Sequence, residues 1–252
     1  MGKVYLIGAG PGAPDLLTLR AAKLLAEADV VFYDALVHPD TIALATKAKK
    51  IAVGKRAGQL STDQRFINRI LVEAGLRHAC VVRIKGGDPM LFGRAQEEID
   101  ALDAAGVPLE VVPGITAALA TAASLKTSLT KRGVSRSVTF ATPRVGHGET
   151  PGEWADAAAN GDTAILYMAM GEVEAVHAAL MNRGIAPSTP VVIVENASLP
   201  NERQIRGTLE TLPTLVAERI TGPAILCIGQ VFGPIDARSS TTAEAIVSTI
   251  NN

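Results

Sequence analysis

The chain reads as α/β, built from two consecutive α/β domains, and three features of the sequence lead there. Short apolar and β-branched runs, at 4–7, 80–84 and 109–112 among others, pass into loops holding Gly or Pro, as buried strands do. Between several of them lie stretches of helical period. Around residues 131–136 the alternation starts afresh, so the domains are expected at 1–132 and 133–252. A chain of 252 residues that is 48% hydrophobic and 19% charged has the material for two modest cores.

The net charge of −1 excludes a nucleic-acid binder acting through bulk charge, so an anionic ligand must meet a local basic cluster. Cys80 and Cys227 sit inside apolar runs without metal-type spacing, which fits a reducing compartment. The first residues lack a signal-peptide core and cleavage site, and no apolar run is long enough to span a bilayer; a cytoplasmic protein is the default expectation. His38, His78, His147 and His177 are scattered, and neither a Gly-x-Ser-x-Gly elbow nor a Walker pattern occurs. No metal site, serine nucleophile or P-loop is therefore read.

The first strand, 4–7, opens into Gly8-Ala9-Gly10-Pro11-Gly12-Ala13-Pro14-Asp15. These residues satisfy the dinucleotide fingerprint G-x-G-x-x-G/A, and Asp34 lies about 20 residues on, where a ribose-binding acid is expected. Pro11, however, removes an N–H from the loop that would cradle pyrophosphate. Pro14 suits the first turn of a helix, expected over 15–27 and so later than the fingerprint needs. A loop short of donors suits a ligand without phosphates. The second strand, 28–33, ends at Asp34, which is either a helix N-cap or a ligand-facing acid. The third, 51–56, finishes in Lys55 and Arg56, read as solvated charge or as cations beside a ligand. Helix 63–75 is expected to bury Phe66, Ile67, Ile70 and Leu71.

The densest stretch follows strand 80–84 and runs Arg83-Ile84-Lys85-Gly86-Gly87-Asp88-Pro89-Met90-Leu91-Phe92-Gly93-Arg94, with Glu97-Glu98 beyond. Gly86 and Gly87 let backbone approach a ligand without Cβ interference, Asp88 adds a carboxylate, and Pro89 stiffens the loop. A helix is expected over 95–105. Strand, glycine loop and helix place this segment at the carboxyl edge of a sheet, where open α/β folds bind ligands. Strand 109–112 leads through Pro113-Gly114-Ile115-Thr116-Ala117-Ala118 into a small-residue helix over 117–125, which serves ligand approach or tight packing equally well. The second half is expected as strands 137–142, 163–168, 190–195 and 224–230 and helices 153–159 and 173–183. A polar loop, 143–152, contains His147, and a further segment spans 204–209. The Ser/Thr/Ala-rich tail from 234 reads as weakly ordered or as a dimer edge.

The string Gly-Gly-Asp-Pro-x-x-Phe-Gly-Arg-x-x-Glu-Glu at 86–98 resembles the signature of the uroporphyrinogen-III C-methyltransferases, within the tetrapyrrole methylase family. The Gly-x-Gly-Pro-Gly opening with Asp15-Leu16-Leu17-Thr18 is similar to the family's start, and Gly54-Lys55-Arg56 to its substrate-facing loop. Leu166-Tyr167-Met168 and Glu195-Asn196-Ala197 are similar to further family motifs, with Ala169 and Ala197 standing where glycine is usual. Lys126-Thr127-Ser128 replaces a usual Gly-Ile-Pro, before a Leu129-Thr130-Lys131-Arg132 that is close to the usual Leu-Thr-His-Arg. The resemblance covers roughly residues 3–232.

It implies two α/β domains of the tetrapyrrole methylase type with the active site in the cleft between them, and a homodimer. The implied reaction is S-adenosyl-L-methionine-dependent C-methylation of uroporphyrinogen III, twice, through precorrin-1 to precorrin-2, with S-adenosyl-L-homocysteine as by-product. No room remains for the dehydrogenase/ferrochelatase half fused to some relatives, so a stand-alone enzyme is expected. The implied cofactor residues are Pro11, Gly86, Gly87, Asp88, Leu91, Thr116, Ala117, Met168 and Ala197. Asp88 either meets the ligand or closes its own Asx-turn, and ligand contact is favoured. The substrate's ring of carboxylates demands cations, for which Lys55, Arg56, Arg94, Lys131 and Arg132 are the candidates. Within the catalytic set of Arg94, Asp34 and Lys55, Asp34 is the better proton acceptor, because a guanidinium is effectively always protonated. Arg94 then binds and orients a carboxylate. The nearest rivals are a later corrin-ring methylase and the family member that modifies a histidine derivative on a translation factor. A nicotinamide-dependent dehydrogenase is more distant.

Overall fold

The computed structural model describes residues 2–54, 63–145, 152–215 and 220–234. Among them the chain forms two compact units. The first takes in Met1–Lys126 with Val194–Arg203 and Thr221–Pro223, and the second takes in Thr127–Ile193, Gln204–Ile220 and the chain from Ala224. The sequence alone suggests one division, at residue 132; here the chain leaves the first unit after Lys126 and returns to it twice. The first return has a visible cause. Ser198 Oγ accepts from the Ala13 N–H at 3.1 Å, and Leu199 packs against Gly12. Such long-range bonds leave no trace in local composition.

In the first unit, β1 (Lys3–Gly8), β2 (Val30–Tyr33), β3 (Lys49–Ala52), β4 (Cys80–Lys85) and β5 (Leu109–Val112) form a sheet in the order β3-β2-β4-β1-β5. All four pairings are parallel, so every strand delivers its following loop to the same edge. A parallel sheet is covered on both faces, and the period-2 alternation of β4 shows it. Val82 and Ile84 join the cluster around Ala21 and Leu25 of α1 (Leu19–Glu27). Val81 joins the opposite cluster, with Ile67 and Leu71 of α3 (Gln64–Arg77) and Leu102 of α4 (Ala95–Ala104). Each such buried aliphatic contributes about 1.5–3 kcal/mol. The short helix α2 (Pro39–Ala43) follows β2, and α5 (Ala117–Ser124) follows β5.

Two local expectations need correction. No single helix spans 15–27: Pro14–Leu16 forms a 3₁₀ turn and α1 starts at Leu19, because Thr18 caps it by accepting from the Ala21 N–H at 3.2 Å. In α3 the buried stripe is Gln64, Ile67, Leu71, Ala74 and Gly75. Phe66 falls on the flank of that stripe and is exposed, its ring 5.3 Å from the Arg69 guanidinium carbon.

In the second unit, β6 (Val138–Ala141), β7 (Thr163–Tyr167), β8 (Pro190–Glu195), β9 (Arg203–Thr208) and β10 (Ala224–Gly229) form a sheet in the order β6-β7-β10-β8-β9. This sheet is mixed, with β6 parallel and β10 antiparallel to β7. Its core gathers Leu166, Ile193 and Leu226 with Val176 and Leu180 of α7 (Val173–Met181) and Ala158 of α6 (Trp154–Asn160). A last short helix, α8 (Leu212–Leu215), adds Leu212. No described helix is long and apolar enough to cross a membrane.

Candidate active site

Three loops at the carboxyl edge of the first sheet are laced together by backbone. Gly10 and Gly87 exchange hydrogen bonds, at 3.2 Å from the Gly10 N–H and 2.8 Å from the Gly87 N–H. Gly8, Gly87 and Gly114 meet so closely that a Cβ on Gly8 would stand 2.5 Å from the Gly114 Cα and 2.6 Å from the Gly87 carbonyl oxygen. Asp88 ties the arrangement: Oδ2 accepts from the Gly114 N–H at 2.9 Å and Oδ1 from the Met90 N–H at 2.8 Å. Both carboxylate oxygens thus serve the loops themselves, which is the Asx-turn alternative and more.

The loops after β1, β4 and β5 therefore bring Gly86, Gly87 and Asp88 beside Thr116 and Ala117, which the sequence singles out separately. Gly87 adopts φ 66°, and an added Cβ would find nothing closer than the Thr116 Cα at 4.0 Å. The space in front of Gly87 is therefore open, which leaves room for a ligand to approach the backbone. Pro11 and Leu91 are both half-buried, on the first and second of these loops. Ala197 is buried in the same unit, between Asn196 at φ 54° and Ser198 at φ 74°. Ala197 itself is outside the left-handed region, so alanine replaces the usual glycine there without backbone strain.

Asp34 follows β2 on the same edge. It caps no helix; Oδ1 accepts from the Leu36 N–H at 3.1 Å, while α2 is capped by His38 Nδ1, which accepts from the Asp40 N–H. Gly54 lies so tightly against it that a side chain would overlap the Ala35 nitrogen and the Asp34 Cα. Asp34 Oδ2 faces Arg83 Nη1 at 3.9 Å. Arg83 and Lys85 are buried, and both bond Glu98 Oε1, at 3.2 Å and 3.0 Å. Burial pushes the Lys85 ammonium below the ordinary lysine range, and the Arg83 charge adds to the shift. This cluster is absent from the sequence-derived site. Two cations at i and i+2 of a buried strand were the available signal, since that spacing puts both on one face.

Arg94 stands at the N-cap of α4 with φ 54°, and Phe92 has φ 53°. Each such left-handed residue costs about 1–2 kcal/mol, and Gly93 between them has no room for a Cβ, which would stand 2.6 Å from the Pro89 carbonyl oxygen. The strained turn presents the Arg94 guanidinium at the surface, where Nε and Nη2 donate to Glu97 at 2.6 and 2.8 Å.

In the second unit, Met168 follows β7 at φ 54° and is exposed, with Ala169 buried behind it. Lys131 and Arg132 are exposed on a turn closed by the Lys131 and Ser135 backbone groups. That turn is pinned from below: Ser135 Oγ and Thr163 Oγ1 each donate to the Leu129 carbonyl oxygen at 3.0 Å. Lys55, Arg56 and His147 lie outside the described residues, as does nearly all of the tail from 234.

A family model described as Tetrapyrrole (Corrin/Porphyrin) Methylases matches residues 3–213. A uroporphyrinogen-III C-methyltransferase of Pseudomonas aeruginosa is 43% identical over 231 residues, covering 91% of this chain and 94% of its own. A siroheme synthase of Pseudomonas aeruginosa is 44% identical over 232 residues, 91% of this chain but 50% of the relative, so the chain spans about half the length of that protein. Among solved structures, a uroporphyrin-III C-methyl transferase of Thermus thermophilus complexed with S-adenosyl homocysteine is 39% identical with a TM-score of 0.81. The match covers 91% of this chain and 98% of the Thermus one.

Proposed function

The chain belongs to the tetrapyrrole methylase family, and from that premise we propose that it transfers methyl groups from S-adenosyl-L-methionine to two ring carbons of uroporphyrinogen III, giving precorrin-2 by way of precorrin-1. The observation that carries this reading is the meeting of the glycine loops after β1, β4 and β5 at one sheet edge, where Asp34 also emerges. When bound, the cofactor supplies an electrophilic methyl carbon, so the protein contributes mainly proximity and alignment. Gly86, Gly87 and the Thr116-Ala117 turn hold its methionine end, with Pro11, Leu91, Met168 and Ala197 as the remaining contacts. Asp88 acts by fixing the loops through Gly114 and Met90.

Asp34 accepts the proton that the methylated ring must lose. Arg94 exchanges Glu97 for a substrate carboxylate, and Lys55, Arg56, Lys131 and Arg132 meet the other carboxylates as point charges or forks. A homodimer in the cytoplasm completes the proposal, and sedimentation of the purified protein tests the dimer.

The deciding experiment is anaerobic incubation with uroporphyrinogen III and S-adenosyl-L-methionine, followed by mass spectrometry. Two added methyl groups are expected. Cofactor binding without methylation would redirect the assignment to a corrin or protein substrate. Binding of NADH with none of S-adenosyl-L-methionine would overturn it in favour of the dinucleotide reading.

A further inference from the structure

The first unit buries charges that the proposed chemistry does not use. Arg83 and Lys85 share a face of β4, and their side chains are only 5% and 6% exposed. Cations so far from water need partners. Glu98, 1% exposed on α4, supplies one: its Oε1 accepts from Arg83 Nε, from Lys85 Nζ and, at 3.2 Å, from Gln64 Nε2 of α3. Its Oε2 is buried and makes no hydrogen bond. One carboxylate thus answers two cations. Among the described residues a second carboxylate beside Arg83 is Asp34, whose Oδ2 is 3.9 Å from Nη1. The guanidinium lies between the two acids, its Nε toward Glu98 and its Nη1 toward Asp34, while Nη1 also donates to the Ile84 carbonyl oxygen at 3.0 Å. A planar fork can span two acids in this way; an ammonium is a single point charge.

We propose that Arg83 is a positioning residue for Asp34: Glu98, braced by Gln64 and paired with Lys85, fixes the guanidinium, and the guanidinium sets where the Asp34 carboxylate stands. The idea rests on the assignment of Asp34 as proton acceptor in the proposed function. Two features support it beyond proximity. The loop bearing Asp34 is held closely by Gly54 and its Oδ1 is tied to the Leu36 N–H, which leaves Oδ2 facing Arg83. The cluster also joins β4, α3 and α4 beneath the loop after β2, which makes Arg83 a rigid reference point for a side chain on that loop.

The test is a mutant cycle read by single-turnover methyl transfer from labelled S-adenosyl-L-methionine to uroporphyrinogen III. Arg83→Gln with Glu98→Gln removes one cation and one carboxylate together, so that the net charge of the cluster is unchanged and Lys85 keeps a neutral amide as its partner. In the Asp34 protein this pair is expected to lower the rate constant on the order of 100-fold, the scale of a misplaced catalytic group. The cofactor dissociation constant should stay within about twofold. In an Asp34→Asn background the same pair is expected to have no further effect. An equal fall in both backgrounds, which a merely structural role would give, overturns the inference, and so does no fall with Asp34 present. If the pair does not fold, Arg83→Lys, which keeps the charge but not the fork, takes its place in the cycle with the same expectations. A wild-type protein that binds cofactor but leaves uroporphyrinogen III unmethylated defeats the proposed function instead. A crystal structure of the paired variant then decides the inference by itself, because a displaced Asp34 carboxylate is expected and an unmoved one overturns it.

Discussion

Glu97 and Glu98 are neighbours on α4 with the same charge, yet they hold their arginines in opposite ways. Glu98 and Arg83 are 1% and 5% exposed and share their bond with Lys85 and Gln64. Glu97 and Arg94 are 47% and 57% exposed and form a two-pronged pair three residues apart. A surface pair contributes about 0–1 kcal/mol, because water and salt compete for both ends. Removing one partner of a buried pair costs about 3–5 kcal/mol, because the survivor keeps its charge without solvent. The lesson is about exchange. In the proposed function Arg94 gives up an exposed pair with Glu97, which costs the fold little, whereas parting Arg83 from Glu98 would strand a buried charge.

The sharpest way to break that contrast is Glu98→Ala against Glu97→Ala. The first is expected to lose about 3–5 kcal/mol in chemical denaturation, the second no more than about 1 kcal/mol; similar losses would erase the distinction. Arg94→Ala comes next. Its stability should stay within about 1 kcal/mol of wild type, while kcat/KM for uroporphyrinogen III falls about 10- to 100-fold, the value of a charge-assisted bond of about 1.5–3 kcal/mol. Arg94→Lys should recover part of that loss, since charge returns without the fork.

Glu195 is an intermediate case, because its carboxylate is buried while its partner Arg203 is 46% exposed. The Gly222 N–H at 2.6 Å, then the Thr221 N–H at 2.7 Å and the Arg203 guanidinium at 2.7 Å, hold its carboxyl below the ordinary 4.5. Around that value the unfolded chain binds more protons, so stability rises with pH there. The contribution of Glu195 is complete above the unfolded value and is lost as pH falls through the folded one. The stability gap between wild type and Glu195→Gln, measured in urea at about pH 7 and at pH values descending below about 4, should therefore narrow on the acid side. A constant gap would mean that the charge of Glu195 is not what matters.

The smallest effect involves no ion pair. Lys126 sits just past α5 at φ 51°, donating its N–H to the Ala123 carbonyl oxygen at 3.0 Å, a position that glycine takes readily. Lys126→Gly should raise the melting temperature slightly, by about 1 kcal/mol or less of added stability. A loss instead would show that the lysine side chain has a partner worth more than the relieved backbone.

Much of this protein was legible in one dimension. Strands β5 and β8 fall at the expected residues, 109–112 and 190–195, because short valine-rich runs beside Pro have few other uses. The glycines of the loops after β1, β4 and β5 could be singled out in the sequence, and they meet one another. Helix starts were less legible: Thr18 competes with Pro14 and Asp15 for the same role, and only the formed cap decides. Asp88 illustrates a different limit. Its turn-closing bond to Met90 is local and could be anticipated, but the bond to Gly114 joins two loops 26 residues apart.

What the sequence determined by itself is the α/β class, the carboxyl-edge loops and their glycines and charges, since these follow from periodicity, backbone freedom and residue type; the sulfonium cofactor and the carboxylate-rich substrate came from the family resemblance. What the tertiary structure decided is which charge is buried and which is available. Arg83 and Arg94 are the same residue type within one motif; the apolar strand around Arg83 was a local hint of burial, but its partner on α4 was not legible. Glu98 turns toward Arg83 and Lys85 because it lies on the face of α4 that covers β4, while Glu97, one residue round the helix, faces water. The low dielectric beneath α4 fixes one arginine permanently, and solvent above it leaves the other able to change partners.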